Sequence, residues 1–269
     1  MLLSRVRKLI DSQLPFAGHL YRQLREIGDA RPRQTKHGFT LAGAPGMTGE
    51  YESSERDLFI DLLESHDVVI DIGANVGFYS CLAASHGKHV LAVEPSPRNL
   101  AHLYTNLWDN DFRKTEVFPL GLGPRRELRK IFGFGGISSF VAGWGQARES
   151  RFSIVPVTTL DSILGSRFDG MRLLIKMDVE GFELEILKGA KETLGRNPRP
   201  AWMIEIMLRD PLIPEGVNPK FRDTFDLFWD ADYQCKTLDG YRSAVSKDHI
   251  SKWVSIGQVE RGVGSFLFY

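Results

Sequence analysis

The chain has 269 residues, 25% of them charged and 42% hydrophobic, and 34 basic residues balance 34 acidic ones to a formal net charge of zero. That length accommodates one α/β domain with a full core plus short additions, and neutrality without a basic, aromatic-rich stretch argues against a nucleic-acid surface. Cys81 and Cys235 stand far apart and outside any C-x-x-C pair, so a reducing, cytoplasmic setting is expected rather than a disulfide framework or zinc site, and no run is long and apolar enough to span a bilayer.

At the start of the chain Leu2, Leu3, Val6, Leu9, Ile10 and Leu14 recur at helical spacing. Arg5, Arg7 and Lys8 interrupt these apolar residues, unlike the core of a secretory signal. Through Lys36 the segment has eight basic residues against three acidic ones. A basic amphipathic helix of this kind packs on its own domain or a second subunit, or lies on an anionic membrane or a partner enzyme. With no Trp or Phe before Phe16, packing within the protein or in a homo-oligomer is the preferred reading. Residues 1–45 are thus a helical extension and linker, with a short strand at Phe39–Leu41, and residues 46–269 form the main domain.

A helix is expected from Ser53 or Ser54 to about Ser65, with Phe59, Ile60, Leu62 and Leu63 on its apolar face. The most informative stretch follows: VVIDIGANVGFYS, Val68 to Ser80. A strand runs through Val68–Ile72, a tight loop carries Gly73, Asn75 and Gly77, and a helix covers Phe78–Ser85. Glycine lets backbone N–H groups approach a ligand closely. A second strand, His89–Val93, ends at Glu94, where a carboxylate can accept both hydroxyl hydrogen bonds of a ribose. The loop reads D-x-G-x-N-x-G, not G-x-G-x-x-G. Asn75 would crowd a pyrophosphate, and Asp71 would repel one. Both suit a nucleoside ligand without phosphates and with a positive charge, as in S-adenosylmethionine.

Ser96 and Pro97 read as an N-cap and first-turn proline of the next helix, which carries Leu100, Leu103, Tyr104 and Leu107. Ser96 and Asn99 fall near the nucleoside, although capping also accounts for Ser96. The third strand is Thr115–Leu120. Residues 121–157 are glycine-rich, with strand-like pieces at Leu128–Phe132 and Phe152–Val157, and read as an inserted β-hairpin or loop near the ligand. Thr158–Leu164 is a short helix in which Thr159 can cap and Asp161 favours the dipole.

Leu173–Met177 is a nearly continuous apolar strand and therefore central. It ends in Asp178 and Glu180, with Lys176 before them and Glu205 at the end of the next strand, Trp202–Met207. Buried charges need partners or a task. Three readings stay open. Asp178 or Glu180 is a general base. Alternatively Asp178, Glu180 and Glu205 help hold a divalent cation, although carboxylates alone at these spacings are weakly specific and no metal ligand is assigned. In the third reading Glu180 caps the following helix and pairs with Lys176. That helix is expected over Phe182–Leu194, and a further one over Phe221–Asp230. Tyr233–Leu238 and Ser265–Phe268 form a closing pair of strands.

DIGANVGFYS, EPSPRNLAHLYTNL, VPVTTLDSIL, LLIKMDVEGFELEILKGA and PAWMIEI, in that order, resemble the FkbM family of S-adenosylmethionine-dependent methyltransferases. The likeness covers about residues 47 to 207, and the IKMDVEG block is its most specific part. It implies a Rossmann-like class I methyltransferase fold: a mostly parallel seven-stranded sheet with helices on both faces and the last strand antiparallel between its neighbours. It also implies O-methylation of a sugar, glycan or other natural product. By the same likeness Gly121 lies against adenine, Asp178 faces cofactor and acceptor, Ser138 and Ser139 lie near the cofactor or acceptor, and Glu52, in a G-x-Y-E element, belongs to a lid over the cofactor. Two rival readings remain: an N- or carboxyl-methyltransferase on a small metabolite, and a non-catalytic cofactor-binding module docked to a biosynthetic complex.

Overall fold

The apolar runs that read as strands become the middle of one twisted sheet. The structure, a computed structural model, describes residues 31–43, 47, 53–133, 138–144, 149–209 and 216–269. The amphipathic helix expected before residue 31 and the G-x-Y-E element with Glu52 lie outside the described residues. Two short antiparallel strands, β1 (Arg33–Gln34) and β2 (Thr40–Leu41), come first. Then follow α1 (Ser53–Ser65), β3 (Val68–Ile72), α2 (Phe78–Ser85), β4 (His89–Val93), α3 (Pro97–Asp109) and β5 (Thr115–Phe118). Asn106 and Asn110 of α3 fasten β2: Ala42 N donates to Asn106 Oδ1 and Thr40 N to Asn110 Oδ1, both at 2.8 Å. β5 stops short of the expected Leu120 because Pro119 has no N–H to give to a ladder.

The insertion is more than a hairpin. β6 (Gly121–Leu122), β7 (Glu127–Phe132) and β8 (Phe152–Thr158) form a separate three-stranded sheet in the order β6-β8-β7. β7 and β8 pair antiparallel, whereas β6 joins β8 in parallel. Next come α4 (Leu160–Leu164), β9 (Leu173–Met177), α5 (Glu183–Lys188) and α6 (Lys191–Leu194). The single helix expected over Phe182–Leu194 is thus two. Gly189 lies so close to Gly123 that a Cβ there would stand 2.1 Å from the Gly123 carbonyl oxygen. The carboxylate of Asp161 accepts Glu192 N at 3.0 Å, Thr193 N at 2.9 Å and Thr193 Oγ1 at 2.7 Å, capping the second piece. Thr159 caps α4 as expected, accepting from Ser162 N at 3.0 Å.

The chain closes with β10 (Ala201–Glu205), α7 (Phe221–Asp230), β11 (Cys235–Thr237), α8 (Lys247–Ile256) and β12 (Ser265–Phe268). α8 lies where the sequence suggests no helix. Its N-terminus is a capping box built on Ser246 and His249, where a glutamate or glutamine is the familiar signal.

The main sheet has the order β11-β12-β10-β9-β3-β4-β5. β12 runs antiparallel between β10 and β11, and the other adjacent pairs are parallel. Period-two alternation splits the buried residues into two cores. Val69, Val90, Ala92, Leu174 and Met203 pack with α1, α2 and α3, whereas Ile70, Leu91, Ile175, Ile204 and Phe266 pack with α5 and α7. Helices therefore cover both faces. The strand order reverses around β3, and at such a switch point the loops leave in opposite directions and open a crevice above the strand ends.

Candidate functional site

That crevice is a cavity of about 400 Å³, within the usual size range for small-molecule sites. Asp71, Gly73, Asn75, Glu94, Asn99, Gly121, Asp178 and Glu180, singled out from sequence, all line it. Ser138, Ser139, Lys176 and Glu205 line it too.

The floor begins at the β3–α2 loop. Gly73 has φ +80°, and a Cβ there would meet the Asp178 carbonyl oxygen at 1.9 Å. A glycine is therefore required both by the left-handed backbone and by the neighbouring strand end. Asn75 also takes a left-handed φ of 53°, which asparagine tolerates better than bulkier residues. Gly77, by contrast, is absent from the cavity wall. It starts α2 at φ +90° with Leu103 packed where its Cβ would be, so its part is to shape the loop from behind.

Glu94 ties this loop to the next strand. Its Oε2 accepts Asn75 N at 2.8 Å, and its Oε1 accepts Ser96 N at 2.7 Å and Asn99 Nδ2 at 3.3 Å. Burial raises the carboxyl to about pKa 7, against the pull of those donors. Ser96 occupies the N-cap position of α3, but its side chain makes no capping bond and it is absent from the cavity wall. It serves through its backbone N–H on Glu94, so both the expected side-chain cap and a direct place in the cavity are corrected. Asn99 is buried and reaches the cavity, bonded to Glu94.

The strand register gathers the charges. Asp71 is paired across the ladder with Lys176, and Lys176 with Met203. Alternation then places Asp71, Lys176, Asp178 and Glu205 on one face. Asp71 accepts Ser80 Oγ at 2.5 Å; burial raises its pKa, while the Ser80 hydroxyl and Lys176 oppose the rise. Lys176 Nζ lies 3.5 Å from Asp178 Oδ2 and 4.6 Å from the centre of the Tyr79 ring. Burial and the adjoining Asp178 carboxylate push Glu205 above the usual carboxylate range. Asp71 and Asp178 outnumber the one lysine on this face, which favours a cationic ligand. Among the described residues no group of three or more His, Cys, Asp or Glu side chains is placed to hold a metal ion.

Glu180 takes contacts that the sequence did not suggest. Asp178 forms an ion pair with Lys176, and the N-cap position of the next helix is Phe182. Glu180 Oε2 accepts Trp144 Nε1 at 2.6 Å, and the Glu180 carbonyl oxygen accepts Ser139 Oγ at 2.7 Å. The bond at the start of α5 comes from Glu183 instead: its Oε1 accepts Gly181 N at 2.9 Å, and burial raises its carboxyl to about pKa 7. Gly121 lies under Phe140, whose ring stands 2.4 Å from where a Cβ would be. Sequence reasoning missed Ser80, Tyr79, Trp144 and Glu183. Tyr79 and Ser80 lie in the first turn of α2, directly after the glycine loop, whereas the Trp144 contact spans 36 residues and left no local signal.

A family model described as the methyltransferase FkbM domain matches residues 71–235, more than half of the chain. The chain belongs to the FkbM methyltransferase domain family. Hexuronic acid methyltransferase AglP of Haloferax volcanii is 29% identical over 143 residues, covering 51% of this chain and 55% of that protein. The chain thus spans about half the length of the curated relative it matches. Among solved structures, the methyltransferase FkbM from Methylobacillus flagellatus is 21% identical with a TM-score of 0.46, over 77% of this chain and 44% of that one. An O-methyltransferase from Bacillus cereus, solved in complex with SAH, is 11% identical with a TM-score of 0.46, over 97% and 94% of the two chains. Within this FkbM domain the matched stretch begins at Asp71 and takes in every cavity residue from Asp71 to Glu205.

Proposed function

We propose that the protein is an S-adenosylmethionine-dependent methyltransferase that methylates a hydroxyl of a sugar or glycan. The observation that carries this reading is the placement of Glu94 and Asp178 on opposite sides of the glycine loop in one cavity, within the matched FkbM domain. The site chemistry fits the cofactor. The 73–75 loop gives close backbone access, Glu94 offers acceptors to ribose hydroxyls, and the acids around Asp71 suit a cationic amino acid and sulfonium. When bound, that cofactor supplies a methyl group already activated for displacement.

The protein's own work is then to place the acceptor and take its proton. Asp178, partly exposed at the cavity wall with Lys176 Nζ at 3.5 Å, is the base in this reading. Glu205, held protonated beside it, adds no second negative charge. The name of the Haloferax relative makes uronic acid residues the first acceptors to test. A reducing cytosol as the setting is supported by two free, buried cysteines; among the described residues no helix is long and apolar enough to cross a membrane. For the segment before residue 31 we propose contact with the protein's own domain or a second subunit, and we propose no nucleic-acid partner.

Isothermal titration with S-adenosylmethionine tests the core of this proposal, and absence of binding overturns it. Turnover on uronate-bearing and neutral saccharides, read as released S-adenosylhomocysteine, tests the acceptor class. Asp178→Asn should retain cofactor binding and lose about 10²-fold or more in turnover. Full turnover in that variant removes Asp178 as base.

A further inference from the structure

Two residues of the insertion hold the strand end at Glu180. Ser139 and Trp144 both grip Glu180, one through its carbonyl oxygen and the other through its carboxylate. Trp144 is 4% exposed although it belongs to the insertion, and its ring lies against Gly181, where a Cβ would come within 2.4 Å of Cζ3. Glu180 has a left-handed φ of 55°, an uncommon state for a residue with a long side chain. Such a conformation persists where its surroundings impose it. Ser139 in turn bridges to Phe132 of β7, and its hydroxyl accepts Val141 N at 2.9 Å. The 178–181 turn also packs on the cofactor-side loop, through the Asp178 carbonyl oxygen over Gly73.

We propose that Trp144 is a positioning residue for the acceptor: its indole holds the Glu180 carboxylate at the cavity wall and fastens the insertion to the strand end that bears Asp178. The acceptor pocket is then assembled from two parts, a strand end and an inserted sheet, joined by this clasp. The inference rests on the methyltransferase reading for the word acceptor, but the clasp itself is read without any ligand. An indole N–H given to a carboxylate in a half-buried setting is among the stronger hydrogen bonds. Its loss should free the insertion locally and leave the cofactor loop, held by Glu94, in place.

The test compares wild type with Trp144→Phe, Glu180→Gln and the double variant. Amide hydrogen exchange over residues 138–144, without ligand, should speed up about ten-fold in Trp144→Phe, the factor expected for losing roughly 1.4 kcal/mol, and by less in Glu180→Gln, whose amide oxygen still accepts the indole N–H without the charge. The double variant should be no faster than Trp144→Phe alone, since without the indole N–H the change at residue 180 has no bond left to weaken. In ¹⁵N-indole spectra the Trp144 resonance, assigned by its loss in Trp144→Phe, should move in Glu180→Gln while the other indoles stay. Affinity for S-adenosylhomocysteine should stay within about three-fold of wild type in Trp144→Phe. On a saccharide that wild type methylates, the change should fall on acceptor KM and not on cofactor KM. Unchanged exchange over 138–144 in both single variants, or an indole signal blind to Glu180→Gln, overturns the clasp. A loss of cofactor affinity as large as that of Glu94→Gln overturns the acceptor role and moves Trp144 to the cofactor site. Failure of wild type to bind S-adenosylhomocysteine removes the methyltransferase reading and leaves the exchange and indole results to decide the clasp.

Discussion

Replacing Glu94 by glutamine removes one acceptor from a carboxylate that serves three donors. Its two oxygens accept Asn75 N at 2.8 Å, Ser96 N at 2.7 Å and Asn99 Nδ2 at 3.3 Å, and the residue is 4% exposed. A glutamine oxygen in the place of Oε1 keeps the Ser96 and Asn99 bonds, but its NH₂ then faces the Asn75 N–H, donor against donor. A buried donor left unmade costs about 1–3 kcal/mol. That clash is present with and without cofactor and lowers stability, whereas affinity falls through the ribose acceptor that the amide replaces. At about 1–3 kcal/mol for that bond and about 1.4 kcal/mol per decade, the loss should be roughly 5- to 150-fold. The assay is calorimetric titration with S-adenosylmethionine at pH 8, above the value of about 7 to which burial raises this carboxyl. Between pH 8 and pH 6 wild-type affinity should weaken toward that of the variant, because the protonated acid also loses an acceptor. Binding by Glu94→Gln within two-fold of wild type at pH 8 refutes the reasoning, as does an equal loss at both pH values.

Gly73→Ala should destabilise the protein by more than the ~1–2 kcal/mol of a left-handed alanine, because its Cβ also meets the Asp178 carbonyl oxygen. Gly87→Ala, at φ +74° with nothing within 4 Å, isolates the backbone part, and equal Tm losses in the two variants would remove the steric argument. Glu183 binds its proton more tightly folded than unfolded, at about 7 against 4.5, so its contribution to stability falls as pH rises from about 4.5 to 7. Glu183→Gln should therefore flatten the dependence of Tm on pH across that range, and an unaltered slope speaks against it. Asp161→Ala leaves the Glu192 and Thr193 amides and the Thr193 hydroxyl without their acceptor. A loss of about 2 kcal/mol, or roughly 4–8 °C in Tm, is expected by scanning calorimetry.

The sequence by itself determined the central strands and the cofactor side of the site, because these depend on local chemistry. The apolar runs at Val68–Ile72, His89–Val93 and Leu173–Met177 and the glycines between them specify strand, turn and helix over a few residues, and the structure keeps those limits. Asp71, Gly73, Asn75 and Glu94 were legible for the same reason: the βαβ unit places its ligands at fixed offsets along the chain. What only the tertiary structure decided are the contacts between distant segments. β6 joined the inserted sheet, Asp161 split one helix into two, and Glu180 met Trp144. Ladder register, which no local pattern states, put Asp71, Lys176, Asp178 and Glu205 on one face. Each of these joins residues tens of positions apart, where neither periodicity nor propensity acts, and packing of the insertion against the strand end sets which side chains meet.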